Sequence, residues 1–440
     1  MNAREPLQAK SSAWERHPSL EPTGPSHHAG TFAAGRPLPP GPAGGRPRLW
    51  ERRPRREWPG TLGSPRPIRD REVAPTGNPV HARLQKHLAA LLAVLLLTAW
   101  STAPHAQGFA GLGTEAEGFA VPEPGKAFTF PVDHGAHPDY RIEWWYLTAN
   151  LRGGDGRDYG IQWTLFRSAL APGNGSGWQS PQAWMGHAAV TTEESHWFTE
   201  RFGRGGIGQA GVQTHPFQAW IDEWALTSRA GSGQDALDRL RVTAGSPDFA
   251  YTLDLEAHGP LVFHGEDGYS VKSEAGQASY YYSQPFYRVS GTLDLPQGPV
   301  EVTGQAWLDR EWSSQPLAET QEGWDWFSLH LDGGARLMGF RLRDTSGETF
   351  TSATWIGPDQ TVETLPPGAF QAVPLGTTDV EGSDIPTHWQ VSLPTKDLDV
   401  EIQPLNPKSW MGTRYPYWEG PVSITGSHRG RGYLEMTGYD

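Results

Sequence analysis

From about residue 126 onward, apolar and polar residues alternate in short runs, with almost no helical period of useful length. Such runs occupy residues 144–151, 160–166, 249–255, 287–295 and 300–307, and again 326–331, 336–342, 388–393, 400–402 and 433–436. A period of two in β-branched and aromatic residues is the pattern of strands, whose successive side chains point to opposite faces. Clusters such as Gly153-Gly154-Asp155-Gly156 and Asp332-Gly333-Gly334 supply the turns. Many short strands at this spacing predict antiparallel barrels or sandwiches. Only residues 235–242 read as a turn of helix.

The pattern occurs twice. Residues 144–154, WWYLTANLRGG, align without a gap to residues 324–334, WDWFSLHLDGG. The closing strand 304–309, GQAWLD, matches 430–435, GRGYLE. Both matches place a boundary near residues 313–322. Two tandem all-β domains are therefore expected, over residues 126–315 and 316–440.

The first part of the chain has a different character. Residues 1–79 are rich in Pro, Gly and Arg and hold little apolar periodicity. Such a segment buries too little surface to offset the entropy of ordering, and disorder is expected; a polybasic interaction tail is the functional alternative. Arg83, Lys86 and His87 then precede an apolar run over residues 88–100, followed by Ser101, Ala103 and Ala106. That order is the order of a cleaved signal peptide, placed at residues 80–106, and it predicts a periplasmic or secreted protein. A retained membrane anchor is the alternative. Because a signal belongs at an N-terminus, translation is expected to begin internally, near Val80, with residues 1–79 a mis-assigned extension.

Charge follows the same division. Residues 1–106 carry 15 Lys and Arg against 7 Asp and Glu, so the remaining body carries 21 against 42. An acidic body argues against a nucleic-acid partner, which needs basic surface. Sixteen of the 20 Trp lie after residue 106, as expected for strands or a pocket walled by flat rings. The absence of Cys excludes disulfides, thiolate metal sites and cysteine nucleophiles.

Several chemical patterns fail on context. Gly203-Arg204-Gly205-Gly206-Ile207-Gly208 matches a dinucleotide fingerprint but is not followed by a helix pattern. No serine occupies a nucleophile elbow and no His pair has zinc-protease spacing, so neither a metal nor a cofactor is expected. His187, His264 and His330 are isolated. The run Trp307-Leu308-Asp309-Arg310-Glu311-Trp312 is more informative. On a strand, Trp307, Asp309 and Glu311 share one face. Inside a barrel, a carboxyl beside an indole resists ionisation and can act as an acid. The alternative is a structural carboxylate bonded to Arg310 or to backbone. Tyr280-Tyr281-Tyr282 and Glu143-Trp144-Trp145-Tyr146 read either as pocket walls or as core alternation.

Together with His264-Gly265 and the terminal run 432–439, these motifs resemble the carotenoid 1,2-hydratase and AttH-like family over residues 126–440. The resemblance implies two tandem lipocalin-like antiparallel β-barrels and no cofactor. In its hydratase members a carboxylic acid protonates a terminal alkene and water captures the cation. Asp309 matches the position of that acid. By the same resemblance Trp144, Trp145, Tyr146, His264, Tyr280, Tyr282, Trp307 and Trp312 become candidate ligand-binding residues. The sequence departs from the hydratase pattern at Arg310, Tyr280 and Tyr282, which favours the exported AttH-like branch. The expected function is then binding of an extended apolar ligand, an isoprenoid or lipid. The alternatives are a hydratase, and an accessory protein of an ABC-type membrane exporter.

Overall fold

The computed structural model describes residues 116–439. The extension, the signal segment and the internal start expected for residues 1–106 lie outside the described residues.

The strand pattern forms two antiparallel sheets. The first holds β1 Ile142–Gly153, β2 Asp158–Ala169, β3 Gln182–Thr191, β4 His196–Arg204, β5 Ala210–Thr214, β6 Phe217–Ile221, β7 Trp224–Ser228, β8 Arg239–Gly245, β9 Ala250–Ala257, β10 Val262–Phe263, β11 Tyr269–Val271, β12 Ala278–Leu295 and β13 Gly298–Ser313. The second holds β14 Gln321–Leu331, β15 Arg336–Asp344, β16 Thr349–Ile356, β17 Val362–Leu365, β18 Gln371–Val380, β19 Ser383–Leu393, β20 Leu398–Pro404, β21 Trp410–Met411, β22 Tyr417–Gly426 and β23 Gly430–Thr437. The fold is all-β: the sheets curl into a nearly closed barrel and a half-barrel of lipocalin-like type. Residues 235–242 differ from expectation. They form a turn that leads into β8, because Leu240 and Val242 alternate into the core with period two.

Each sheet closes its chain in the same way. The last strand returns to pair with the first, β13 with β1 and β23 with β14. Gly304 and Gly430, matched in the sequence repeat, explain how. A Cβ at Gly304 would stand 2.1 Å from the carbonyl oxygen of Asn150, and one at Gly430 would stand 2.1 Å from that of His330. Both positions need glycine for close backbone approach.

The interiors are filled by side chains. Trp145, Leu147, Trp163, Trp224, Leu308 and Trp312 belong to the core of the first sheet. Phe327, Leu329, Trp389, Val391 and Trp418 belong to that of the second. A third apolar cluster lies in the seam where β1 and β2 pack against β22 and β23, and includes Tyr146, Tyr281, Trp307, Trp326, Phe340 and Tyr433. β1 is thus covered on both faces along most of its length, and β13 over residues 306–313, where only Glu311 is half-buried.

Candidate functional site

Asp309 lies toward the C-terminal end of β13, between Tyr146 of β1 and Ser283 of β12. Trp307, Asp309 and Glu311 share a face, but that face looks away from the interior of the first sheet and into the seam. Leu308 and Trp312, on the opposite face, fill the interior instead. Three donors converge on the Asp309 carboxyl. Trp307 Nε1 reaches Oδ1 at 2.7 Å, Tyr281 Oη reaches Oδ2 at 3.0 Å, and Ser283 Oγ donates to Oδ1. Burial opposes ionisation, the three donors favour it, and Glu311 opposes it again; the result is a carboxyl pushed up to about 7. This acid is protonated in part at neutral pH, and its conjugate base has hydrogen-bond donors already in place.

A second tier supports the first. His264 is buried, with Nε2 2.6 Å from Ser283 Oγ and Nδ1 2.9 Å from Thr354 Oγ1. Burial, and then Lys272, hold its imidazole well below the ordinary histidine range, so it is neutral. Since Ser283 gives its proton to Asp309, it accepts from the Nε2–H tautomer of His264. From the other sheet, Trp326 Nε1 donates to Tyr281 Oη at 3.0 Å.

The seam contains a cleft. One cavity of about 100 Å³ is walled by Trp144, Tyr146, Tyr281, Trp324, Trp326 and Phe340, with Asp309 and Glu435 on its surface. A neighbouring cavity of about 290 Å³ shares Trp144, Phe166, Trp324 and Glu435 and continues to Met185, His187 and Tyr417. Glu435 accepts from Trp324 Nε1 at 2.6 Å. Burial raises this carboxyl to about 7 against the pull of Trp324 and Tyr146. Lys272, paired with Glu311 at 2.8 Å, stands 4.8 Å from the Tyr281 ring centre and 4.2 Å from that of Phe340.

The sequence-derived residues separate into two groups. Trp144 and Tyr146 line the cleft with Asp309, Trp307 donates to Asp309 directly, and His264 contacts its donor Ser283. Trp145, Tyr280, Tyr282 and Trp312 point the other way, into the packed core of the first sheet. Arg310 does not bond Asp309. It lies over Trp145, 3.9 Å from the ring centre, and its Nη2 donates to Glu143 Oε1 at 2.7 Å. Glu143 also accepts from Arg167 at 2.8 Å and from His137 at 2.6 Å. Burial would raise Glu143, but His137, Arg310 and Arg167 hold it far below the ordinary glutamate range. Trp324, Trp326, Glu419 and Glu435 are not among the candidates, and Tyr281 enters only as the middle of the tyrosine run. The sequence repeat carries a signal for Glu435, since it aligns with Asp309. Among the described residues, no group of three or more His, Asp and Glu is arranged to hold a metal ion.

A family model for AttH-like proteins matches residues 121–439. A crystal structure from Nitrosomonas europaea assigned as an AttH is 33% identical, with a TM-score of 0.65 over 73% of this chain and 99% of that one. The crystal structure of kievitone hydratase from Nectria haematococca is 14% identical, with a TM-score of 0.53 over 73% of this chain and 98% of that one. That second likeness is one of fold. Comparison with curated protein sequences gives no match.

Proposed function

This chain belongs to the AttH-like family, and we propose that it is an exported protein that binds an elongated apolar molecule, an isoprenoid or lipid, in the cleft between its two sheets. The observation that carries this reading is the pair of adjoining cavities that share Trp144, Phe166 and Trp324. An apolar groove with a few placed polar groups is the usual form of such a site. The export rests on the basic, apolar and small-residue order of residues 83–106. Partnership with an ABC-type membrane exporter would then give the ligand a route across the membrane. The test is native mass spectrometry with lipid extraction on protein purified from its own host. A co-purifying isoprenoid or lipid supports the reading. A protein that is empty as isolated, and that takes up no such molecule on addition, overturns it.

A second reading is favoured by one feature, the protonatable Asp309 in an apolar cleft. Here the bound alkene is hydrated, and the fold shared with a kievitone hydratase makes hydration the first reaction to assay. The alkene π electrons take the Asp309 proton, and a tertiary carbocation forms at the neighbouring carbon. Ser283, Trp307 and Tyr281 stabilise the carboxylate left behind. Water adds to the cation, and its excess proton returns to Asp309, so no net proton is consumed. Asp309→Asn should abolish product formation from an acyclic carotene while ligand binding persists. Unchanged turnover would remove Asp309 from this role.

A further inference from the structure

Glu419 and Glu435 are direct cross-strand partners on β22 and β23. Glu419 is 1% exposed, while Glu435 opens onto the cleft. Like charges directly opposite in a sheet repel, and burial adds to the cost. The groups facing the pair are Tyr146 of β1, Tyr251 of β9, Glu311 of β13, Trp324 of β14, Tyr417 of β22 and Tyr433 of β23. No cation is among them. Tyr146 Oη donates to Glu419 Oε1 at 2.5 Å and also interacts with Glu435, so that one phenol bridges the two carboxyls. Glu419 Oε2 has no hydrogen-bond partner. Burial, then the neighbouring carboxyl, raises Glu419 well above the ordinary glutamate range.

The pair does not stand alone. Tyr417 interacts with Glu419 on one side. On the other, its Oη lies 2.8 Å from His187 Nδ1. His187 is buried, and its Nε2 lies 3.3 Å from Oε2 of Glu200, whose side chain is 20% exposed. Tyr417 and Glu419 are two residues apart on β22 and share a face, so Tyr146, Glu419, Tyr417 and His187 stand in series between the cleft and a carboxylate at the surface.

We propose that Glu419 and Glu435 hold one proton between them, and that Tyr417, His187 and Glu200 exchange this proton with solvent. Hydronium at the surface protonates Glu200 and leaves water, and Glu200 passes its proton to Nε2 of His187, whose ring starts as the Nδ1–H tautomer. His187 Nδ1 then gives its proton to the Tyr417 oxygen, and Tyr417 gives its own to Glu419. Each hop breaks one O–H or N–H bond and makes another, with no change of oxidation state. The net event moves one proton from hydronium to the carboxyl pair and leaves His187 as the Nε2–H tautomer, which the reverse passage restores. Glu435 shares the cleft with Asp309, so the site keeps a proton source in contact with solvent even when a ligand fills the groove. The relay needs no reacting ligand, and it stands or falls separately from the functional reading above.

The test is infrared titration of protonated-carboxyl stretches on the full chain, with the rate of their deuterium shift after transfer to heavy water. Asp309 contributes its own band, so variants are read as differences from the unsubstituted protein. One carboxyl band near neutral pH should vanish in Glu419→Gln, and in Glu435→Gln it should shift in frequency and titrate at lower pH, since that substitution removes the repulsion while burial of Glu419 remains. His187→Phe and the milder Tyr417→Phe should keep the band but slow its deuterium shift by about tenfold or more, because exchange then waits on local opening. Circular dichroism identifies any variant that fails to fold, and Tyr417→Phe preserves ring packing should His187→Phe do so. Persistence of the band in Glu419→Gln, or an unshifted band in Glu435→Gln, overturns the shared proton. An unchanged shift rate in folded Tyr417→Phe overturns the relay.

Discussion

Asp309 and Glu435 occupy the same place in the two sheets. Asp309 is the register partner of Tyr146 across β13 and β1, and Glu435 is the partner of Trp326 across β23 and β14. The sequence repeat carries one pair onto the other without a shift, and both carboxyls reach the same cavity. The repeat therefore does more than duplicate a fold. It brings two buried acids to face one apolar cleft, and the surroundings then distinguish them. Asp309 receives three side-chain donors, whereas Glu435 receives the indole of Trp324 and lies opposite a second carboxyl.

The contribution of Asp309 to stability should decline as pH rises from about 4 to about 7. In the unfolded chain Asp309 loses its proton near 3.8, while in the folded protein it keeps it to about 7. Between these values the native state binds the extra proton, so its stabilisation is lost as pH rises. The effect of Asp309 alone is on the order of 4 kcal/mol. Asp133 acts in the opposite sense. Despite burial, hydrogen bonds from His137 and Thr129 lower it to about 2, so its contribution is lost as pH falls below about 4. The buried, neutral His264 acts against this, because stability from a lowered histidine grows as pH rises over the same range. The Asp309 contribution is therefore read as the difference in unfolding free energy between wild type and Asp309→Asn, which should fall by about 4 kcal/mol from pH 4 to 7. A difference that does not change with pH would contradict the assignment.

Tyr281→Phe should move the Asp309 titration upward. The phenol donates to Asp309 and accepts from Trp326. Its donation favours the ionised carboxyl, so its removal leaves burial less opposed and takes the midpoint above about 7. The orphaned Trp326 N–H adds about 1–3 kcal/mol of destabilisation. Carboxyl-carbon NMR reads the midpoint directly, and a fall would show that Tyr281 does not act on Asp309 as described.

The strands were legible because their turns are explicit: Gly153-Gly154 and Gly333-Gly334 end the two leading runs where β1 and β14 lead into turns. The face on which Asp309 points was not. Residues 306–310 are buried without interruption, so alternation cannot separate core from seam. Tyr280, Tyr281 and Tyr282 pose the same problem, and the residue on the acid's face is the middle one. The role of Glu143 was illegible for another reason. Its partner Arg310 lies 167 residues away in sequence, and only β1–β13 pairing brings them together.

That pairing makes Glu143→Gln a severe change. The carboxylate accepts from Arg167, Arg310 and His137 with no exposure to solvent. Neutralising it leaves two buried guanidinium groups without their counter-charge. Removing one partner of a buried ion pair typically costs about 3–5 kcal/mol. Equilibrium denaturation should show a loss of that size; a change under about 1 kcal/mol would mean that water or other groups replace the carboxylate.

Neighbouring tryptophans offer the sharpest separation of binding from folding. Trp144 and Trp145 are adjacent on β1, so their side chains lie on opposite faces. Trp145 is wholly buried, bonds the carbonyl of His134 at 3.0 Å and lies beneath Arg310. Trp145→Ala should cost about 3–5 kcal/mol of stability, as large-to-small changes of buried aromatics do. Trp144 is only partly buried and lines both cavities of the cleft. Losing on the order of 60 Å² of apolar contact with a ligand is worth about 1.4 kcal/mol, roughly tenfold in Kd. Trp144→Ala should therefore weaken binding of a fluorescent apolar probe such as N-phenyl-1-naphthylamine by that factor, with little change in unfolding midpoint. If Trp144→Ala binds the probe as tightly as the unsubstituted protein, the probe sits elsewhere and the cleft is not its site. If it unfolds as readily as Trp145→Ala, the Trp144 ring is a packing element of the seam, and the ligand wall must be sought at Phe166 and Trp324.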